Sequence, residues 1–483
     1  MANLKFQNAT YFCRKQVGKI QTAENVRISA KTDIAEVLSV GVDNVVNSYE
    51  AAEGEVTFYG KTFIRLLYGD GTARIGSNYN ADFTAAVQSE EINSSTACCF
   101  DVVTVDVKAD TNANTATLSI LLEITVYAYV QQNTACLTDG EEVFMRKQNV
   151  QLLSQAGVSY LPVTVDRQLC ATRTISSVLL AESGMCLRDY SLSDGALRIS
   201  GDAVVRLTYL SEGALVCDAL PFRFDAELDG ASLPQDSSLR VTVRVKNTKV
   251  RLDIADDSVN TEFTAEIAAV VCVENFVRQD FSLVTDAYGG NCDFALQRQT
   301  CVCTLPSAQG TERKRLEFDF KTTSPQAAVN VGAVVTKCTA AENYAVAEGI
   351  ISATVLTQEG ATVTELPFSE KVQCNGLTPH CKVFAEASVC DFVVEENKIS
   401  AELSITVDSF CDKSFSVVTS AEELPFDKLS QSAIEVCLAH KGETVWGLAK
   451  SLHMSEKDLL SANPELSDPL REDARIVVFN KIG

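Results

Sequence analysis

The side chains able to carry chemistry are few and scattered. His380, His440 and His453 are the three histidines of 483 residues. None stands in a pattern that pairs a serine or cysteine nucleophile with a base. There is no Gly-x-Ser-x-Gly, no phosphate-cradling glycine loop and no His-Glu-x-x-His pair. The carboxylate pairs Glu90/Glu91, Asp256/Asp257 and Glu395/Glu396 fall at expected turns, where solvated charge is the ordinary state. Cysteine is abundant, at 17 residues. Yet Cys98/Cys99 and Cys301-x-Cys303 lack the CxxC spacing of a zinc site and have no histidine companion. Cys217, Cys272, Cys390 and Cys411 lie in strand-like runs, where a reduced thiol serves as a small apolar side chain. Accessible thiols could crosslink later in an oxidising environment. These residues predict a protein that is not an enzyme and holds neither metal nor cofactor.

The charge balance narrows the partners. A net charge of −23 and a pI near 4.6 argue against nucleic acid, whose phosphates need clustered Lys and Arg. The most basic run, Arg313-Lys314-Arg315, alternates with acids and reads as a solvated strand face. The opening MANLKFQNATYFCRKQ has no apolar core of a secretion signal, and no run of about 20 apolar residues exists to span a membrane. The expectation is a cytoplasmic protein.

The elements that must position any site are repeated. In Ala196–Gly213 the odd positions Leu197, Ile199, Ala203, Val205, Leu207 and Tyr209 are apolar, and Arg198, Ser200, Asp202, Arg206 and Thr208 lie between them. Such alternation predicts a half-buried strand ending in a Ser-Glu-Gly turn. Val56–Gly71 aligns with it, Gly60 on Gly201 and Arg65 on Arg206. A looser copy, Ala345–Gly360, has Gly349 in the same place. The glycines recur at roughly 145 residues, a domain-sized period that means tandem modules.

The spacing of strand-like runs and Gly/Asp/Asn turns predicts a mainly β chain: three tandem antiparallel β-sandwich-like repeats at 26–140, 158–288 and 313–421, after a lead-in segment at 1–25. Ala109–Thr115 reads as a loop, and the modules close near Leu137, Val284 and Val418. Leu220-Pro221-Phe222 and Leu366-Pro367-Phe368 are read as counterparts. Proline cannot donate to a ladder, so both should sit at a sheet margin. Ala421–Ser432 reads as a linker.

Residues 434–481 change character. A strand Ile434–Ala439 is followed by a turn at Lys441-Gly442-Glu443 and a helix Val445–Leu452 capped by Thr444. A second helix, Glu456–Ala462, follows the capping box Ser455-x-x-Asp458, and Asn463-Pro464 stops it before a strand Arg475–Phe479. The residues His440-Lys441-Gly442-Glu443-Thr444-Val445-Trp446-Gly447-Leu448-Ala449-Lys450, Asn463-Pro464-Glu465-Leu466 and Ile476-Val477-Val478-Phe479 resemble a LysM domain. Glu472-Asp473-Ala474-Arg475 departs from the family's usual Gly-x-x-Leu. The resemblance implies a shallow groove for N-acetylglucosamine-containing glycans, or for a protein. Gly442, Glu443, Thr444 and Val445 would form one wall, and Asn463, Pro464, Glu465 and Leu466 the other. Trp446 is expected to anchor the small domain's own core.

Tandem β modules ahead of one C-terminal LysM domain resemble the SPOCS-type repeats of spore-envelope assembly proteins of clostridia and related Firmicutes. The resemblance implies a morphogenetic scaffold made in the mother cell and assembled at the forespore surface. Its expected partners are a coat-forming ATPase or another coat protein, or the glycan itself. The alternative is a wall-associated receptor that binds peptidoglycan directly.

Overall fold

The computed structural model describes residues 3–230, 233–252, 261–321, 325–358, 360–424 and 434–479. Six strands make the first repeat: β1 (Leu4–Ser29), β2 (Glu36–Ala52), β3 (Glu55–Gly69), β4 (Arg74–Gln88), β5 (Ala97–Asn112) and β6 (Thr115–Gly140). They form two antiparallel sheets, β1-β6-β5 and β2-β3-β4. The wiring recurs in β7 (Val143–Cys170), β8 (Ser177–Ser193), β9 (Ala196–Ser211), β10 (Ala214–Asp229), β11 (Ser238–Leu252) and β12 (Glu262–Gly289). It recurs again in β13 (Asp293–Asp319), β14 (Ala327–Ala341), β15 (Tyr344–Leu356), β16 (Ala361–Gln373), β17 (Lys382–Glu395) and β18 (Lys398–Leu424). The three copies of the organising strand are β3, β9 and β15, each the middle of its sheet. Alternate residues of the middle strands meet between the two sheets: Leu118, Ile120, Leu122 and Ile124 of β6 pack with Phe58, Ile64 and Leu66 of β3. Period-two patterning thus produces each sandwich core.

The recurring glycine has a physical reason. Gly60 is paired across the ladder with Phe83, Gly201 with Phe224, and Gly349 with Phe368. A Cβ at any of the three would lie within 3 Å of that phenyl ring. The ring therefore lies over the glycine, and a hydrogen is all the space allows. This contact also corrects the alignment of the Leu-Pro-Phe tripeptides. Phe368 corresponds to Phe224 and not to Phe222, while the first repeat, which has no tripeptide, supplies Phe83. Pro221 and Pro367 do lie on edge strands, β10 and β16.

Other sequence expectations are revised. Residues 4–25 belong to β1, which pairs along its length with β6, so the expected lead-in is part of the first sandwich. Residues 143–157 and 293–312, expected between modules, are the first halves of β7 and β13. Leu137, Val284 and Val418 lie near the ends of β6, β12 and β18, which end their repeats at Gly140, Gly289 and Leu424. The expected loop at 109–115 is mostly strand, with β5 running to Asn112. In parts of β1, β7 and β13 the second face meets other repeats rather than water, as at Tyr11, Leu152 and Cys303. The expected turn at Asp256-Asp257, and most of the expected linker, lie outside the described residues. The thiol expectation is revised too, since Cys381 and Cys411 are joined as a disulfide.

All three repeats touch one another. One shared cluster contains Tyr11 and Cys13 of the first, Leu152 and Phe276 of the second, and Cys303 and Phe410 of the third. Beside it lies a chain of charges drawn from all three. Glu274, 1% exposed, accepts from Arg240 and from the Tyr129 hydroxyl, and Arg14 Nε lies 3.7 Å away. Arg240 Nε also donates to Asp408 at 2.6 Å. The Arg14 guanidinium sits 4.0 Å from the Tyr127 ring centroid and 4.4 Å from that of Phe384. A second junction binds Arg65 to Glu182 at 3.3 Å, and Glu182 accepts from the Asn330 N–H at 2.9 Å. The aligned Arg206 donates to the Val389 carbonyl at 2.9 Å. Arg206 and Thr208, read as solvent-facing, are therefore buried between repeats.

Burial alone would push the Glu274 carboxyl up, but the charges of Arg240 and Arg14 with the Tyr129 hydrogen bond hold it down at about 2. Its folded value lies below its ordinary 4.5, so its contribution is complete above that value and is lost as pH falls towards about 2. Glu274→Gln should cost about 3–5 kcal/mol at neutral pH by leaving two arginines short of a charge. In urea titrations, its deficit against wild type should shrink across that pH interval. Gly201→Ala should lower stability by about 1–3 kcal/mol. Gly332→Ala, whose Cβ would meet only Ser352 Oγ at 3.9 Å, should leave the urea midpoint within error.

Candidate functional site

The C-terminal segment folds as β19 (Ile434–Ala439), α1 (Val445–Ser451), α2 (Glu456–Ala462) and β20 (Ala474–Phe479), with the strands paired antiparallel. Both helices are too short to hold themselves in water, so caps and packing set their ends. Thr444 Oγ1 accepts from the Gly447 N–H at 3.0 Å, and Ser455 Oγ from the Asp458 N–H at 3.0 Å. Ala439, Leu448, Ala449, Leu459 and Ile476 fill the space between helices and strands.

The two expected walls are loops on this frame. Gly442 adopts φ +91°, which suits glycine in the turn. Its N–H donates to the Leu470 carbonyl at 2.9 Å, and the Leu470 N–H donates to the Glu443 carbonyl at 2.9 Å. The Glu443 carboxylate accepts from the His440 N–H at 2.7 Å. Gly442, Glu443, Pro464 and Glu465 are exposed, while Thr444 and Leu466 are half-buried.

Two of the eight expected residues do not present side chains to a ligand. Val445 is 2% exposed and belongs to the core. The Asn463 amide is used internally: it donates to the Leu459 carbonyl at 2.9 Å and the Val477 carbonyl at 2.7 Å, and accepts from the Val477 N–H at 2.7 Å. Asn463 thus fastens the second loop to β20. Sequence reasoning missed Asp468, whose Oδ1 accepts from the Val445 N–H at 3.0 Å. It also missed Asp473, which accepts from the Lys441 N–H at 2.8 Å. Both acids follow the second loop and tie it, or the closing turn, to the first.

Trp446 belongs to the small domain's core, as expected, and also reaches beyond it. It is 7% exposed, but its ring packs edge-on against Tyr288 of the second repeat, with centroids 5.0 Å apart. Its Nε1–H donates to Asp286 Oδ2 at 2.8 Å. Lys450 donates to Asp286 Oδ1 at 2.8 Å, and Arg298 to the same oxygen at 2.6 Å. The Tyr288 hydroxyl donates to the Met454 carbonyl at 2.8 Å. Burial disfavours charge on Asp286, but these hydrogen bonds and cations hold its carboxyl below the usual carboxylate range. One face of the small domain is thereby fixed to the repeats. Among the described residues, no group of three His, Cys, Asp or Glu side chains is placed to hold a metal ion.

The model of the LysM domain family matches residues 440–478. The chain therefore carries a C-terminal LysM domain, a class that binds peptidoglycan and other N-acetylglucosamine-containing glycans. No curated protein and no solved structure matches the chain.

The chain has one tryptophan, so its fluorescence reports the docked face directly. Asp286→Ala should shift Trp446 emission to the red without loss of far-ultraviolet β signal. Asn463→Ala should destabilise the LysM domain by about 1–3 kcal/mol, because three backbone groups lose their partner. Thermal melts followed at Trp446 would show it.

Proposed function

We propose that this protein is a non-enzymatic scaffold of the spore envelope that presents one LysM groove from a rigid three-repeat body. It would be made in the mother-cell cytoplasm and assembled at the forespore surface. The observation that carries the reading is the mounting of the LysM domain. Asp286 and Tyr288 hold the face bearing Trp446, while Gly442, Glu443, Pro464 and Glu465 remain exposed. A scaffold needs surfaces and a fixed recognition site. The exposed ring of Pro464 suits the flat face of a sugar, and the exposed Glu465 carboxylate can accept from its hydroxyl or amide groups. The tandem β modules before a LysM domain support the spore-envelope setting through their resemblance to that assembly family.

The test uses the full-length chain against purified peptidoglycan and against lysate of sporulating cells. The expected result is retention on peptidoglycan, weakened about tenfold by a Pro464→Ala/Glu465→Ala double variant whose Trp446 emission is unchanged. Capture of a coat protein without glycan retention would make the groove a protein-docking site. Complete coats in a strain lacking the chain would overturn the scaffold role. If glycan retention persisted alongside complete coats, the wall-associated receptor would be the better account.

A further inference from the structure

Among the cysteines, one pair differs in its setting from the rest. Cys186 of β8 and Cys390 of β17 bring their sulfurs to 3.2 Å across the boundary between the second and third repeats. Cys390 occupies a bulge in β17, where the register with β18 shifts between Val389 and Asp391, and a bulge re-aims a side chain. Both residues line a cavity of about 430 Å³ together with Arg188, Arg223, Arg313 and Arg315. Asp202, Asp391 and Glu402 also line it. Arg188 binds Asp202 at 2.5 Å, and Arg313 binds the same carboxylate. Arg315 reaches Asp391 at 2.8 Å and Glu402 at 3.3 Å. Pro221 and Phe222 supply an apolar wall. Cys186 is itself buried and Cys390 half-buried, but both border the cavity, whereas Cys13 and Cys303 are packed in the shared central cluster.

We propose that Cys186 and Cys390 form a redox-active dithiol that reacts with small anionic disulfides entering this cavity. The two sulfurs share a hydrogen bond in which either can donate, and the Arg313 guanidinium adds a favourable charge. Against the opposing effect of burial, they bring the Cys186 thiol below its ordinary value. Cys390 shifts the other way, chiefly through the same hydrogen bond. In this scheme Cys186 takes the attacking role and Cys390 the resolving one, and trapping in the Cys390→Ser variant decides it. The Cys186 thiolate attacks one sulfur of the disulfide RS–SR. The S–S bond breaks, RS⁻ leaves, and Cys186 becomes a mixed disulfide. Cys390, losing its proton to solvent, attacks the Cys186 sulfur and expels the second RS⁻. The two cysteines are oxidised and the small disulfide is reduced to two thiols. The product covalently joins β8 to β17 and closes a long loop across the two repeats, which should strengthen their association.

The full-length protein, pre-reduced and folded, is incubated with oxidised glutathione, acid-quenched and mapped by peptide mass spectrometry. The expected result is a Cys186–Cys390 cross-linked peptide with loss of two hydrogens. Cys390→Ser should trap one glutathione on Cys186, and Arg313→Gln should slow that trapping about threefold. The exposed Cys170 serves as a reactivity control within the same chain. Glutathionylation of Cys170 with Cys186 and Cys390 left as thiols would overturn the proposal. Trapping on Cys186 that is no faster than on Cys170 in the Cys390→Ser variant would overturn the attacking role.

Discussion

A carboxylate cut off from water must be paired, and Glu274 is paired by an arginine of its own repeat and by two residues of another. Arg14 and Tyr129 come from the first repeat, while Arg240, its neighbour in the second, reaches on to Asp408 of the third. Separating the repeats would leave Arg14, Tyr129 and Asp408 without these partners and Glu274 with Arg240 alone, which is why the junction is exacting. The second junction, Arg65–Glu182–Asn330, imposes the same demand elsewhere, but with a different balance. There burial outweighs the arginines and pushes the Glu182 carboxyl up. The two acids behave oppositely because Glu274 is held by a short contact from Arg240 and a tyrosine hydroxyl, whereas Glu182 meets Arg65 at longer range.

This arrangement explains features that a single sandwich would not need. In β9, Val204, Arg206 and Thr208 are buried although their neighbours already fill the intra-repeat core. Strands of 26 to 28 residues are longer than one sandwich requires. Their first or last halves supply the contacts between repeats, and the halves nearer β5, β11 and β17 build the cores. The LysM domain is then placed on the far part of β12, where Asp286 and Tyr288 are available because the strand extends beyond its own sandwich.

Much of the local structure was legible. Alternation in 196–211, the Gly60/Gly201/Gly349 period and the caps at Thr444 and Ser455 each translate directly into an element. The meaning of the glycines was not legible, since the phenyl ring above each belongs to another strand and, in the third repeat, the hairpin between them is shorter. Arg14, Arg240, Glu274 and Asp408 look like ordinary surface charges in the sequence, and only closure of the three repeats buries them. The site divided in the same way. Gly442, Glu443, Pro464 and Glu465 fall on exposed loops as their turn chemistry implies. Asn463 has the composition of a ligand-binding residue but is consumed by the backbone of β20, and Trp446 serves two cores at once.

The claim that the three repeats share one charged centre is tested most directly by native-state hydrogen exchange in the middle strands β6, β12 and β18, comparing wild type with Glu274→Gln. The account predicts equal opening free energies in the three wild-type strands and a common fall in the variant, although the substitution lies only in β12. Unequal protection in wild type, with a loss confined to β12 in the variant, would contradict it.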